Sequence, residues 1–315
     1  MNFNQSYTKL TSFFLSKYKV FTVVGLLAIV FSILFSSSYF IPPQYKAEAV
    51  LYPSNLGQYS TESSTEQLLQ FFYGNDIRDS IVAKFDLINH YKIDTTSNGY
   101  YYRLNKEYDE NVSINKTNFE SVQIEVMDIN PVIARDIVLE LIHQVNNKIR
   151  TLHQIKAKEV VVITNNQLDN KKVLIDTLEA QIRRYSIKYG LLDYTQQSRE
   201  VTAGYMNMLL ENKKGESMQK AEKLFENLKE EGRYFQDLHH QLNLAREEYS
   251  KILISYDAAV RDENKKLTYT NTIVFPEVAD KKSYPIRWLI VVLSVFATLL
   301  FTYVILLFNN HLKGQ

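Results

Sequence analysis

Two long stretches without a single charged side chain decide most of what this chain can become. Residues 20–41 read VFTVVGLLAIVFSILFSSSYFI, 22 in all, and residues 288–308 add a second run of 21. At about 1.5 Å per residue, each is long enough to cross the roughly 30 Å hydrocarbon core of a bilayer. Aromatic residues stand near the ends of both, Tyr18, Tyr39 and Phe40 on the first, Trp288 and Tyr303 on the second, as anchoring at the membrane interface favours. A cleaved leader is the rival reading of the first run, since Lys9, Lys17 and Lys19 precede it and Ser36, Ser37 and Ser38 supply small residues. The run is longer than the about 7–15 apolar residues of a leader's central region, so two spans are expected, at 20–41 and 286–308.

The flanks set an orientation. Residues 1–19 hold three lysines and no acid, and residues 309–315 hold Lys313 and no acid, so both tails are expected in the cytoplasm and residues 42–285 outside it. Lys281, Lys282 and Arg287 stand on the other side of that rule, but it is counted over short loops, and 244 residues separate the spans. A tail of seven residues is expected to carry no kinase or signalling bundle. The chain has no cysteine, which excludes disulfides, thiolate metal sites and a cysteine nucleophile and suits an oxidising compartment. With 36 basic and 35 acidic side chains there is no net field to draw it to nucleic acid.

Between the spans, residues 42–130 read as mixed α/β. Alternation predicts a strand over 46–52, and amphipathic spacing predicts helices over 66–73 and 76–89. A further strand is predicted over 119–127, where Val122, Ile124 and Val126 alternate with Gln123 and Glu125. Turn signals stand at Asn98-Gly99 and Asn130-Pro131. Pro131 suits a first helical turn, and Asp128 or Asn130 can cap it. No proline or glycine follows until Gly190, which predicts one helix of 59 residues, about 88 Å long. Its apolar stripe runs through Ala134, Val138, Leu141, Val145, Ile149 and Leu152, then Leu174, Leu178, Ile182, Tyr185 and Tyr189. These steps exceed the 3.5 average of a heptad, so little supercoil is expected.

Beyond Gly190 the pattern is weak around Gly204 and Gly215, then becomes a heptad at Phe235, Leu238, Leu242, Ala245, Tyr249, Ile252, Tyr256 and Ala259. Because the chain must return to the same membrane, residues 131–267 are expected to form a long antiparallel, coiled-coil-like helical arm. A strand over 270–275 then closes the base, and residues 268–285 lead back to the bilayer. Apolar positions left over on the arm, such as Val161, Val162 and Leu253, call for a partner, and side-by-side association of copies supplies one. The fold class expected is α+β, two spans flanking an α/β base with a helical arm.

Searches for chemistry return nothing specific. No phosphate-cradling glycine loop, GxSxG or HExxH occurs. His143 and His153, ten residues apart, lie about 280° apart around a helix. Asp76 with Asp79, or Asp109 with Glu110, has a spacing common on surface helices. The 22 tyrosines, Tyr100, Tyr101 and Tyr102 among them, are capable of stacking on sugar rings, but packing accounts for them as well.

The layout resembles the chain-length determinant family, the Wzz-type polysaccharide co-polymerases, and three patches carry the likeness. In VQIEVMDINPVIARDIV, Asp128, Pro131 and Ala134 fall on the family's Asp-x-x-Pro-x-x-Ala pattern. LAREEYSKILISYDAAVRDEN is similar to its helix before the last strand, with Tyr249 and Tyr256 at repeated aromatic positions. IVFPEVADKKSYPIRWLI resembles its proline-rich approach to the second span, keeping Pro276, Pro285 and Arg287 while Ala279 and Lys282 replace further prolines. By its own physics Pro285 disfavours helix at Tyr284, so a sharp start of the second span is expected.

The resemblance implies a bacterial inner-membrane homo-oligomer with most of its chain in the periplasm, without catalytic residues, cofactor or metal. It would influence the length or export of a surface polysaccharide such as O-antigen, capsule or exopolysaccharide. The partners implied are a polymerase or export machinery in the same membrane and the polysaccharide itself. A membrane-anchored sensor, a hydrolase and an export adaptor are the competing readings. The first lacks an output on so short a tail, and the second lacks an acid/base cleft.

Overall fold

The computed structural model describes residues 16–57 and 61–313. Lys9 and the rest of residues 1–15 of the expected first tail, and residues 314–315 of the second, lie outside them. The described residues form two compact units, one from those up to 149 together with those from 268 onward, the other from residues 150–267.

In the first unit, helix α1 spans Tyr18–Phe35 and ends six residues before the uncharged run does. Ser36, Ser37 and Ser38 form a turn in which the amides of Phe40 and Ile41 both donate to Ser37 O. Pro42 and Pro43 then remove two amide donors, so the helix cannot continue. Strand β1, Tyr45–Pro53, follows. Helix α2, Ser64–Phe72, is opened by a capping box between Ser63 and Glu66. The single helix expected over 76–89 is two, α3 at Asn75–Lys84 and α4 at Leu87–His90, because Asp86 adopts φ 48° between them.

Helix α5, Tyr100–Asn111, and strand β2, Val112–Lys116, complete the first part of the base. Strand β3 is Val122–Asp128, three residues later than expected. Phe119 belongs instead to the β2–β3 turn, which Thr117 N donating to Ser121 O (2.8 Å) closes. Helix α6 is Pro131–Tyr189, 59 residues, as its lack of proline and glycine predicts. Asn130 caps it, Oδ1 accepting from Val132 N at 3.0 Å.

The sheet is wholly antiparallel in the order β2-β3-β1-β4, with β4 at Thr270–Val274. Register runs from Tyr45 opposite Asp128 to Leu51 opposite Val122, which turns Ala47, Ala49, Leu51, Val122, Ile124 and Val126 to one face. That face is fully covered by α2, α3 and the first turns of α6, whose Ala134, Ile137, Val138, Leu141, Val145 and Ile149 are all buried. Each large aliphatic side chain so buried contributes about 1.5–3 kcal/mol. Helix α9, Arg287–Lys313, is the second apolar helix, and α1 and α9 are each long and apolar enough to cross a membrane.

The second unit holds the rest of α6, then α7 at Tyr194–Leu210 and α8 at Glu216–Asn264. Gly190 ends α6 with φ +73°, a conformation that costs a side-chain-bearing residue. Within this unit α8 runs antiparallel to α6. Glu179 pairs with Arg246 at 2.6 Å, Lys171 with Glu248, and the Tyr185 and Tyr234 rings lie 5.2 Å apart. Leu178 packs with Leu238, Leu242 and Ala245, and Leu191 with Leu228 and Phe235.

Candidate functional site

The residues singled out on the approach to the second span come together where the two apolar helices meet the folded unit. Pro276 and Pro285 are both buried, and α9 starts at Arg287, two residues past Pro285. Gln44, just after the first apolar helix, is stitched to this segment. Its amide donates to Tyr284 O at 2.9 Å and its carbonyl accepts from Ser283 N at 2.8 Å. Gln44 Nε2 also reaches Asn111 Oδ1 of α5 at 3.1 Å. Nearer the helices, Arg287 Nη2 donates to Ser38 Oγ at 2.6 Å, and Ser32 and Ser294 share a hydrogen bond of 2.5 Å between α1 and α9. A chain of polar contacts therefore joins both helices to each other and to the sheet.

Asp128, Pro131 and Ala134 meet at the junction of β3 with α6. Asp128 is only 2% exposed. Its Oδ1 accepts from Asn130 N at 2.7 Å, and its Oδ2 lies 2.8 Å from His90 Nε2 of α4. Ala134 is buried where the helix lies on the sheet. Sequence reading missed His90, since 38 positions separate it from its partner and no local pattern links them.

Two ion pairs pin α3 along α6, Lys84 to Glu140 and Lys148 to Asp76, each at 2.5 Å. Burial works to raise both carboxyls, but the lysine beside each outweighs it, through hydrogen bond and charge, and holds them below their ordinary values of 4.5 and 3.8. Their stabilisation is therefore complete above those values and lost as pH falls through the lowered ones. Acid titration of the full chain should show stability falling below about pH 4.5. Glu140→Gln should remove about 1 kcal/mol at neutral pH and flatten that slope. Urea midpoints measured from pH 7 to pH 3 check it, and an unchanged slope in the variant would rule the pair out as a source.

In the second unit, Phe235, Leu238, Leu242, Ala245 and Ala259 are buried, while Tyr249, Ile252 and Tyr256 are half-buried. Two expectations need correcting. Leu152 and Leu174 are exposed, because the packed face of α6 here runs through Thr164, Leu168, Ile175, Leu178 and Ile182. Val161 is half-buried, whereas Val162 and Leu253 are exposed as expected. The opposite face of α6 carries Ile155, Val162, Val173 and Ile187, which fall within about 40° of one another around the helix and are all exposed, Ile187 by 76%. Asn166, Asp169 and Arg184 are exposed on the same face, so one side of this helix is packed within the hairpin and the other is open and mixed, large apolar side chains interspersed with polar ones.

No cluster of three metal-ligating side chains occurs among the described residues. The carboxylates considered as acid/base pairs have other company, Asp76 with Lys148, Asp79 with Arg78 and Glu110 with Lys106. Of the three consecutive tyrosines, Tyr101 lies under Arg78, whose guanidinium is 5.3 Å from its ring centre.

No family model and no curated protein matches the chain. Solved structures do. A full-length bacterial polysaccharide co-polymerase aligns over 96% of this chain and 96% of its own, at 11% identity and a TM-score of 0.49. The periplasmic domain of a chimeric lipopolysaccharide O-antigen chain-length regulator aligns over 76% of this chain and 100% of its own, at 9% identity and a TM-score of 0.34. The wild-type Shigella flexneri O-antigen chain-length regulator does so over the same shares, at 9% identity and a TM-score of 0.33.

Proposed function

We propose that this chain is an inner-membrane polysaccharide co-polymerase, a non-enzymatic scaffold that regulates the length or export of a surface polysaccharide. The carrying observation is the arrangement of one folded α+β unit, two apolar helices tied together beside it, and a helical hairpin inserted between residues 149 and 268. In this reading both helices span the inner membrane, the tails with Lys9, Lys17, Lys19 and Lys313 face the cytoplasm, and residues 42–285 lie in the periplasm. Asp128, Pro131, Ala134, Pro276 and Pro285 keep the base and the approach to the membrane in place. The exposed Ile155, Val162, Val173 and Ile187 support assembly with further copies, since large apolar side chains on an open helix face favour a covering partner. A polymerase or exporter in the same membrane, and the glycan itself, complete the proposed set of partners.

Deleting the gene is expected to broaden or shift the length distribution of the surface polysaccharide while leaving its sugar composition unchanged. Gel ladders and monosaccharide analysis read both. An unaltered distribution would sink the reading.

A further inference from the structure

The two apolar helices do not close on each other along their whole length. Between them lies a groove of about 450 Å³ whose walls include Leu27, Phe31, Phe35, Ile41 and Ile290. Three of its four hydroxyl side chains are already engaged. Ser32 and Ser294 bond each other, and Thr298 Oγ1 donates to Ser294 O at 2.7 Å. Most of the polar groups that would hold a third helix in lipid are therefore used inside the pair, and what the groove mainly offers is hydrocarbon surface.

Along α1 the lining runs from Val24 to Ser36, about 18 Å at about 1.5 Å per residue. One leaflet of a bilayer core is about 15 Å deep. The groove matches that depth, and it opens toward the leaflet next to the α+β unit, because Ser36 and Ile41 lead directly into β1.

Charge lies at that same end. Arg287 stands one turn before Ile290 and spends one nitrogen on Ser38, while its Nε is shielded from solvent and without a hydrogen-bond partner. Lys281 and Lys282 are exposed in the segment just before it. The acids of that segment, Glu277 and Asp280, line a separate cleft beside β4 with Lys46 and Glu48.

We propose that the groove between α1 and α9 is a lipid site, taking one acyl chain of an anionic phospholipid while Arg287 and the Ser38 hydroxyl hold its phosphate. Apolar walls of leaflet depth with a guanidinium at one end fit a lipid of this class; a zwitterionic lipid also offers a phosphate, but its choline cation offsets the charge that Arg287 meets, so the anionic lipid is favoured. The proposal needs only that both helices lie in a bilayer and is independent of any role in polysaccharide length.

Trp288, the single tryptophan of the chain and 68% exposed, gives a direct probe beside Arg287. The full chain is reconstituted in vesicles of phosphatidylcholine and phosphatidylglycerol in which one lipid at a time carries brominated acyl chains, which quench tryptophan on contact. Brominated phosphatidylglycerol should show an apparent association about fivefold stronger than brominated phosphatidylcholine, the factor expected for one basic side chain at the membrane surface. Arg287→Gln should bring the ratio to about one. Ala28→Phe, which fills the groove from a lining position and leaves Arg287 in place, should do the same with unchanged helical content.

Equal quenching by the two lipids in the wild-type chain overturns the proposal, and it is the result expected if a second copy's helix fills the groove. A preference that survives Arg287→Gln or Ala28→Phe also overturns it, by placing the lipid elsewhere. Loss of the preference when an equimolar isoprenoid phosphate is added would assign the groove to that lipid instead.

Discussion

Gly232→Val is expected to destabilise the helical hairpin by about 3 kcal/mol, the upper end of the usual cost of overpacking. Gly232 is buried in the interior of α8, where glycine costs about 1 kcal/mol relative to alanine. The reason for its presence is Tyr194, whose ring lies where a Cβ would stand. Tyr194 opens α7, which Asp193 caps through its bond from Gln196 N at 2.9 Å, and it packs on the cluster of Leu191, Leu228 and Phe235. A valine drives the ring out, and the small core at this end of the hairpin loses its cover. The sign is informative too. At an open helical site Gly→Ala stabilises, whereas Gly232→Ala should destabilise. Urea unfolding followed by helical signal, with limited proteolysis between residues 190 and 230, reads both variants. A midpoint equal to or above the wild-type value would show that Tyr194 yields without cost.

Where the physics is local, the sequence is a good guide to this fold. The span of α6 follows from a proline at its first turn, an asparagine cap and the absence of any breaker before Gly190. Strands β1 and β3 follow from alternation, because one face of each must be covered, whereas β4 follows from the return of the chain to the base and buries only Thr270. Strand β2 and helix α5 escape that logic. Five residues with only Val112 and Ile114 facing the core make too short a period, and Leu104, Tyr108 and Asn111 are a thin stripe among charged neighbours. The turn at 117–121 and the break at Asp86 are hidden for another reason. Glu120 and Asp86 adopt positive φ without a glycine to announce it, and Glu120 O is held by Thr65 Oγ1 at 2.7 Å from 55 positions away. Partnerships are the least legible. Asp128 and Arg287 stand out by type, but His90 and Ser38 are ordinary residues until the fold brings them within reach, 38 and 249 positions away. Leu152 and Leu174 show the converse, apolar residues in step with a stripe yet off the face that packs.

Excising residues 150–267, and joining Ile149 to Thr268 by a short glycine-serine linker, is expected to leave the first unit folded and to abolish the polysaccharide-length control proposed for the chain. The fold survives because the chain leaves and re-enters this unit at neighbouring points. Asn146 Oδ1 accepts from Tyr269 N at 2.6 Å, Asn146 Nδ2 donates to Thr270 Oγ1 at 2.7 Å, and Asn55 Nδ2 holds Thr268 O at 2.9 Å. A linker of about six residues reaches up to about 20 Å, ample for such a gap, and closing so short a loop costs little entropy. The core over the sheet, from Ala47 to Ile149, lies wholly inside the retained segments. The polymer distribution should then match that of the deletion strain, although the shortened protein reaches the membrane in normal amount. Restoration of the wild-type distribution would place length control in the base and its two helices, and the open face of α6 would need another purpose. Failure of the shortened chain to unfold cooperatively would instead show that the base depends on the hairpin, a result that Gly232→Val, which loosens the hairpin without removing it, separates from a loss of function.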